Sequence, residues 1–509
     1  MKYTIRILAL AATIFTVGAC TDLEEELKDS FTEDFDPNNP GVGVTNNVNK
    51  AQPNDGLGAA FGRLIGSSAG HGGYFSIQEV STDEAVITQK GGDWFDGGIW
   101  LDMHRHQWQS THPALNGVWN ESYGGINECN RLLADGGLSP AAVAQLKTVR
   151  AFFYWRLMDS FGRVKIVTQP GVDAPQVDRV TVFNFIESEL LAALPDLPEG
   201  RQEYGRVSNL GAQAFLSRLY LNAEVYTGVP RYADAIIAAD AVINSGVYSL
   251  TPDYADVFAP DNVDDPEHIW VLPYDEATQG GMNFAQMTLH YPSQLTYRLA
   301  EQPWNGYSTL EEFYNSYEDG DERKENNFIV GPQYDVNGAP ILDLAFDAAD
   351  PDGAPINYTP AINQLAPNGS RQAGARLGKF SFKLKQRANM DNDYPLFRYA
   401  EVLLNKAEAI ARLNGNWSDP QALLLVNQVR ERAGVDGFAQ MDASTFLAER
   451  GREMFQESQR RIDLIRFGRW GAQWWEKPAH SDTYKNVFPI PNEQINASGG
   501  TLTQNPGYN

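Results

Sequence analysis

Hydrophobic residues recur about every 3.6 positions along two long parts of the chain, and this spacing predicts amphipathic helices. In the clearest segment, residues 140–161, the side chains of Leu146, Val149, Phe153 and Leu157 recur at helical spacing. The same spacing predicts further helices at 180–194, 208–226, 232–244, 394–413, 420–433 and 444–457. The protein is therefore expected to be mainly α-helical.

Two pairs of these predicted helices are joined by short turns. One pair meets across residues 227–230 and the other across residues 414–416. Alanines at the expected contacts, among them Ala223, Ala239 and Ala407, would let the paired helices approach closely. Paired helices with small contact residues resemble tetratricopeptide units. The pairs are therefore predicted to form a scaffold.

The chain between about residues 251 and 392 lacks the helical period and is rich in Gly, Pro, Asn, Asp and aromatic residues. This composition predicts irregular loops with short strands, inserted between helical regions at about 120–250 and 394–470. Loops held on a rigid scaffold are where binding sites concentrate. We therefore expect one domain over residues 51–509 whose insertion bears the ligand.

Composition narrows the class of protein. The 509 residues are 42% hydrophobic and 11% aromatic, which supplies a full core and excludes a disordered chain. The 65 acidic residues outnumber the 40 basic ones, for a formal net charge of -25. Because phosphate binding requires a basic surface, nucleic acid is not expected as a partner.

The amino-terminal residues have the pattern of a targeting signal. Lys2 and Arg6 accompany a short apolar run, which predicts a secretory signal peptide over residues 1–19. Small residues stand directly before Cys20, as in a bacterial lipobox, where the cysteine is lipidated. The alternative is an ordinary cleavage site beside a chance cysteine. Residues 20–50 are acidic and Asn-rich, which predicts a tether behind a lipid anchor.

A series of short motifs occurs along the chain: NECN at 127–130, RAFFY at 150–154, PLFRYAEVLL at 395–404, ERGRE at 449–453, RRIDLIRFG at 460–468, FPIP at 488–491 and QNPGY at 504–508. Together these motifs resemble the RagB/SusD family. One departure is Ser458 with Gln459, where the family usually has a glycine before the arginine pair. The resemblance covers essentially the whole chain after the tether.

The resemblance implies a fold and a function. The fold would be a helical one with tetratricopeptide-like pairs and an irregular, ligand-bearing insertion. The protein would be an outer-membrane lipoprotein, facing the cell exterior, that binds glycan and delivers it to a TonB-dependent, SusC-like transporter barrel. The turns at 227–228 and 305–306 look closest to the starch-binding branch, which suggests an α-glucan. No enzymatic activity is implied; a peptide-binding lipoprotein of the same family and a glycoside hydrolase are the alternatives.

Two aromatic clusters have the composition that a sugar site requires, since sugars present C–H faces to rings and hydroxyls to polar groups. The turn-forming pair Asn305-Gly306 is predicted to hold Trp304 and Tyr307 on one exposed loop. The alternative is that these rings anchor the core. The candidate ligand-binding residues are Lys90, Trp94, Phe95 and Asp96, with Asp93 beside them, in a Gly-rich loop, and Tyr291, Trp304, Asn305 and Tyr307 in the insertion.

Calcium is the candidate metal. Asp391 and Asp393 place two carboxylates on one face of an extended segment, and Asp261 adds another oxygen ligand. Ligand sets made only of oxygen suit calcium. The resemblance adds that one family member has calcium near matching positions. The alternative is that these residues cap turns, and no other cofactor is expected.

Overall fold

The structure is a computed structural model that describes residues 55–201, 203–345, 350 and 353–508. The predicted signal peptide, Cys20 and the tether lie outside the described residues. The described part is mainly α-helical, as predicted. Its α-helices are α1 Gly58–Gly66, α2 Tyr74–Glu79, α3 Ile99–His104, α4 Pro113–Asp135, α5 Pro140–Phe161, α6 Arg179–Ala193, α7 Asn209–Leu221, α8 Ala223–Thr227, α9 Tyr232–Ile243, α10 Phe284–Thr288, α11 Gln294–Tyr297, α12 Glu311–Tyr314, α13 Glu322–Asn327, α14 Tyr399–Asn414, α15 Pro420–Arg432, α16 Ala443–Met454, α17 Arg460–Arg466 and α18 Asn492–Ala497.

Short strands pair only two at a time across the described residues. Every pair is antiparallel, and the pairs are β1 with β5, β2 with β3, β4 with β10, β6 with β9 and β7 with β8. Most of them lie in or beside the predicted insertion. The strands are β1 Ala85–Ile87, β2 Val164–Lys165, β3 Gln176–Val177, β4 His268–Leu272, β5 Tyr307–Thr309, β6 Phe328–Ile329, β7 Gly331–Pro332, β8 Asn357–Tyr358, β9 Arg376–Leu377 and β10 Tyr394–Arg398.

The helix pairs form as predicted. α7 packs against α9, α14 packs against α15, and α9 also packs against α14, so the two pairs join in one scaffold. Gly228 ends α8 and Gly415 ends α14, with φ values of 77° and 61°. Glycine favours this left-handed conformation at helix ends because it has no Cβ. The turns between the paired helices are therefore set by local sequence.

The predicted helix at 394–413 is wrong over its first five residues. Tyr394–Arg398 forms strand β10, which pairs antiparallel with β4, and the helix begins only at Tyr399. Pro395 disfavours helical backbone at the residue before it, and all five strand residues are buried. The β4–β10 pair therefore joins the two ends of the irregular insertion. Among the described residues, no helix combines the length and apolar character needed to cross a bilayer.

Candidate functional site

Strand pairing brings the two predicted aromatic clusters together. β1 pairs with β5, with Ile87 opposite Tyr307 and Ala85 opposite Thr309. The Gly-rich loop that contains Trp94 follows β1, and Trp304 is separated from the start of β5 only by Asn305 and Gly306. Segments far apart in sequence therefore meet at one end of this short sheet.

A surface cavity of about 640 Å³ lies where these segments meet, and we call it the aromatic cavity. Four of the predicted residues line it: Trp94, Asp96, Tyr291 and Trp304. Their role as ligand contacts stays a prediction. The other lining residues are His71, Asp93, Gln302 and Pro303.

The rings of His71, Trp94 and Trp304 form one wall of the aromatic cavity. The Trp94 indole Nε1 donates a hydrogen bond to the Trp304 carbonyl at 2.6 Å, which ties the two loops together. The His71 ring lies 5.2 Å from the Trp94 ring, nearly perpendicular to it, and 6.1 Å from the Trp304 ring. Trp304 keeps 36% of its surface exposed. The wall therefore presents apolar ring surface to solvent in a fixed arrangement.

Backbone geometry holds this wall in place. Trp94 and Asn305 both adopt left-handed backbone, with φ values of 60° and 57°. A Cβ built on Gly306 would lie 2.4 Å from the Trp94 indole, which no real side chain tolerates. Gly306 is therefore needed for the indole to lie directly on the loop. Left-handed backbone is uncommon for residues other than glycine and clusters at functional sites.

Two residues of the predicted exposed loop are buried instead. Tyr307 is fully buried, and its hydroxyl lies 2.7 Å from Ser76 Oγ and 2.9 Å from His71 Nδ1. Asn305 is also fully buried. The prediction that Tyr307 stands on the surface beside Trp304 is therefore wrong, because β5 begins at Tyr307 and directs its ring into the core.

Lys90 is also buried, and the prediction that it faces a ligand is wrong. Its Nζ donates hydrogen bonds at 3.1 Å to the carbonyls of Thr88 and Gly306. Burial lowers the pKa of Lys90 well below its usual value. The side chain fastens the Gly-rich loop to the Trp304 loop rather than meeting solvent. Phe95 is exposed as expected, yet it does not line the aromatic cavity.

The polar lining of the aromatic cavity combines acceptors with a neutral imidazole. The Tyr291 hydroxyl donates a hydrogen bond to Asp93, and the Trp100 indole donates one to Asp96 at 3.1 Å. Burial lowers the pKa of His71 to about 4, although Asp96 opposes this shift. His71 is therefore neutral near pH 7. Aromatic faces, carboxylates and a neutral ring together suit a hydroxyl-rich ligand.

His71 lines the aromatic cavity although the sequence prediction does not include it. Gly70, Gly72 and Gly73 surround His71 just as glycines surround Trp94. A pattern made only of Trp, Tyr and Phe does not include this imidazole.

The three carboxylates predicted to hold calcium, Asp261, Asp391 and Asp393, do not come together as a metal-binding group in the part of the chain that the structure describes. Asp261 is exposed, Asp391 accepts a hydrogen bond from the Glu276 amide at 2.7 Å, and Lys383 contacts its other oxygen. Asp393 is buried and accepts a hydrogen bond from the Tyr274 amide at 3.1 Å. The described residues contain no group of three or more His, Cys, Asp or Glu side chains that could hold a metal ion. Calcium binding as such stays a prediction.

An open cavity with a rigid aromatic wall, held by loops on a helical scaffold, defines a ligand-binding protein. The SusD family model matches residues 266–508 of the chain. The starch-binding protein SusD of Bacteroides thetaiotaomicron is 28% identical over 498 residues, covering 87% of this chain and 88% of SusD. SusD-like protein P25 of Formosa agariphila is 24% identical, covering 78% of this chain and 80% of P25. Residues 266–508 therefore match the SusD family, and most of the chain is similar to SusD and SusD-like proteins.

Solved structures share the fold. Surface glycan-binding protein A from Bacteroides thetaiotaomicron, in complex with laminarihexaose, superimposes with a TM-score of 0.71 at 21% identity. The match covers 88% of this chain and 98% of that one. The corresponding protein from Bacteroides uniformis has a TM-score of 0.71 at 22% identity, covering 88% and 98% of the two chains. The helical scaffold and its insertion are therefore those of SusD-like proteins.

Proposed function

We propose that the protein is a cell-surface lipoprotein that binds glycan in the aromatic cavity and delivers it to a TonB-dependent transporter. The observation that supports glycan binding most directly is the cavity wall, where the Trp94 and Trp304 rings lie beside carboxylates and a neutral imidazole. The names of the relatives point the same way, since they include a starch-binding protein and a laminarihexaose complex.

The Trp304 ring should contribute most of the stacking energy, because it is the most exposed ring of the wall. A sugar face that covers about 100 Å² of apolar surface, at about 25 cal/mol per Å², gains about 2.5 kcal/mol before ordering costs. Loss of one ring should then weaken binding by about 1–2 kcal/mol, or roughly 5- to 30-fold.

Calorimetric titration of the Trp304→Ala variant tests this proposal. Maltoheptaose and laminarihexaose serve as the α- and β-glucan probes. Tyr334→Ala is the matched control, because Tyr334 is an exposed aromatic residue of the insertion that does not line the cavity. Equal binding by Trp304→Ala and the parent would place the glycan site elsewhere. Tighter binding of maltoheptaose than of laminarihexaose would support the narrower proposal of an α-glucan ligand.

Two alternatives predict different results. A peptide-binding protein of the same family would bind peptides and neither glucan. A glycoside hydrolase needs two carboxylates set a fixed distance apart across the bound sugar. Asp93 and Asp96 both line the aromatic cavity, although each accepts a hydrogen bond from an aromatic side chain. We propose a binding protein without catalytic activity, and release of reducing sugar from either glucan would contradict this.

The anchor and the transporter are proposed from the lipobox and the family. Cys20→Ala should release the protein from the membrane fraction, whereas a variant that stays bound must be anchored elsewhere. Gentle detergent extraction of the native protein should co-purify a large β-barrel. Recovery of the lipoprotein alone after crosslinking would contradict the transporter partnership.

A further inference from the structure

A second cavity, of about 550 Å³, opens at the carboxyl end of α3, the helix that follows the Trp94 loop. We call it the tyrosine cavity because Tyr484 and Tyr508 line it together with Trp108. It shares no lining residue with the aromatic cavity. Its volume lies within the range of about 300–1,000 Å³ that small-molecule sites occupy.

The aromatic side chains of the tyrosine cavity are held rigidly. The Tyr484 and Tyr508 rings pack edge to face with centroids 4.9 Å apart. The Trp108 indole donates a hydrogen bond to the Tyr508 hydroxyl at 3.0 Å, and this hydroxyl donates one to the Val487 carbonyl at 2.8 Å. A Cβ on Gly507 would lie 2.4 Å from the Tyr484 ring, so glycine is required there. The wall is therefore formed before any ligand arrives.

Polar groups in the same cavity keep unused hydrogen-bonding capacity. The Asp102 carboxylate is half-buried and accepts no hydrogen bond from a described residue. The side-chain amide of Gln107 and the Tyr484 hydroxyl likewise have no hydrogen-bond partner in the part of the chain that the structure describes. Lys485 Nζ donates to the His106 carbonyl, which leaves further N–H donors. A carboxylate, an amide, a hydroxyl and an ammonium thus surround one space.

The chemistry of this lining selects a neutral, hydroxyl-rich ligand. The Asp102 carboxylate disfavours an anion, and the Lys485 ammonium disfavours a cation. Polar side chains form much of the wall of the tyrosine cavity, so the cavity does not favour a purely apolar ligand. A sugar presents hydroxyls that both donate and accept hydrogen bonds, together with C–H faces for rings.

We infer that the tyrosine cavity is a second carbohydrate-binding site, which takes a sugar residue or a short oligosaccharide. The inference rests on the proposed function, because the same glycan would supply both sites. The tyrosine cavity should bind more weakly, since Trp108 is almost fully buried and offers less ring surface than Trp304. A weak second site would hold a further part of a long glycan near the protein.

Titration in two genetic backgrounds tests the inference, with maltoheptaose and laminarihexaose as probes. Binding is followed through the tryptophan indole N–H resonances, with those of Trp94 and Trp108 assigned from Trp94→Phe and Trp108→Phe. In the parent, both resonances should shift, at lower sugar concentration for Trp94. In Trp304→Ala, the shift at Trp108 should persist with its midpoint unchanged.

Variants of the tyrosine cavity complete the test in the Trp304→Ala background. Gln107→Ala combined with Gln109→Ala should weaken the residual binding by about tenfold or more, because two amides are lost. Asp102→Asn, which keeps the size of the side chain, is a second variant with the same expected direction. Gln421→Ala is the matched control, since Gln421 is an exposed glutamine on α15. Thermal melting confirms that each variant is folded.

The outcomes separate the inference from the proposed function. If the parent binds neither probe, the proposed function and the inference both fail. If the parent binds and Trp304→Ala leaves no shift at Trp108, only the inference fails. The inference also fails if residual binding in the Trp304→Ala background is unchanged both by the double variant Gln107→Ala with Gln109→Ala and by Asp102→Asn.

Discussion

The helical scaffold and the aromatic cavity differ in what they bury: the scaffold buries charged side chains, whereas the cavity leaves aromatic rings partly exposed. In the scaffold, Arg398 is fully buried and pairs with Glu267 at 2.6 Å and with Glu453 and Glu457 at 2.7 Å. At the aromatic cavity, the rings are partly exposed and the loop at Trp94 has left-handed backbone. The buried charged groups of the family motifs therefore stabilise the fold. The rings that face the ligand lie on loops, and a stable scaffold can hold those loops in a strained backbone conformation.

Removal of Arg398 should give the largest effect and should fall on stability alone. Arg398→Met leaves three buried carboxylates with fewer partners, which should lower the free energy of unfolding by about 3–5 kcal/mol. Urea unfolding measures the loss. The folded fraction should bind glycan with the affinity of the parent, because Arg398 does not line the aromatic cavity.

The control for Arg398 is a surface arginine with two carboxylate partners. Arg131 pairs with Glu128 and Asp135 on α4, but about half of its side chain is exposed. Solvent screens such pairs, so Arg131→Met should change stability little. If the two variants lose equal stability, or if folded Arg398→Met binds glycan poorly, the division between scaffold and site is wrong.

Local sequence sufficed for the scaffold but not for its junction with the insertion. The helix predicted at 140–161 matches α5, Pro140–Phe161, because Ser139 caps it and Pro140 occupies its first turn. The strand Tyr394–Arg398 was predicted as helix. Its conformation depends on pairing with β4, and a single segment contains no information about a partner so distant in sequence.

Contacts between segments distant in sequence also explain why only some of the predicted site residues line the aromatic cavity. Composition pointed to both loops and to Trp94 and Trp304, since rings among glycines mark a candidate sugar surface. Lys90 and Tyr307 were assigned to the surface, although both are fully buried. Tyr307 is buried where β5 pairs with β1, and Lys90 is buried where its Nζ donates to the carbonyls of Thr88 and Gly306. Sequence proximity to an exposed ring therefore does not predict exposure.

A smaller effect should follow from Gly306→Ala, and it should fall on affinity more than on stability. The added methyl would meet the Trp94 indole at 2.4 Å and must displace it from the wall. Overpacking of this kind costs about 1–3 kcal/mol. Because the indole is at the surface, much of this cost should appear as weaker glycan binding. Calorimetric titration and thermal melting separate the two quantities.

Gly124→Ala is the matched control, because a Cβ at Gly124 in α4 meets no atom within 4 Å. Alanine is the better helix former, so this variant should be as stable as the parent or more stable, with unchanged affinity. Unchanged binding by Gly306→Ala would show that the position of the Trp94 ring does not matter for the ligand.

The free energy of unfolding should depend on pH because of a pair of buried carboxyl groups. Glu79 and Glu84 are both almost fully buried, and burial raises the pKa of each. Glu79 accepts a hydrogen bond from the Ser458 amide at 2.7 Å, while Arg460 lies 3.9 Å from Glu84. A raised pKa means that the folded state retains a proton that the unfolded state releases, so stability falls as the pH rises above the ordinary carboxyl range.

Glu79→Gln tests this dependence, because glutamine resembles the protonated acid. Between about pH 5 and about pH 8, the parent should lose at least about 1 kcal/mol of stability relative to the variant. Urea unfolding at several pH values measures the difference. Parallel pH profiles for the two proteins would show that Glu79 itself does not retain a proton.

The smallest effect is expected for the pH dependence of glycan affinity, which should be much weaker than the pH dependence of stability. His71 lines the aromatic cavity, and burial lowers its pKa from 6.5 to about 4 while Asp96 opposes the shift. The ring is therefore neutral throughout the range in which an ordinary histidine titrates. Affinity for the better of the two glucans should stay constant between about pH 5.5 and about pH 8. It should fall only as the pH approaches about 4, where protonation would place a charge beside the Tyr307 hydroxyl, 2.9 Å from Nδ1. Calorimetric titration across this range measures it, and a midpoint near the ordinary histidine value would show that His71 is as hydrated as in the unfolded chain.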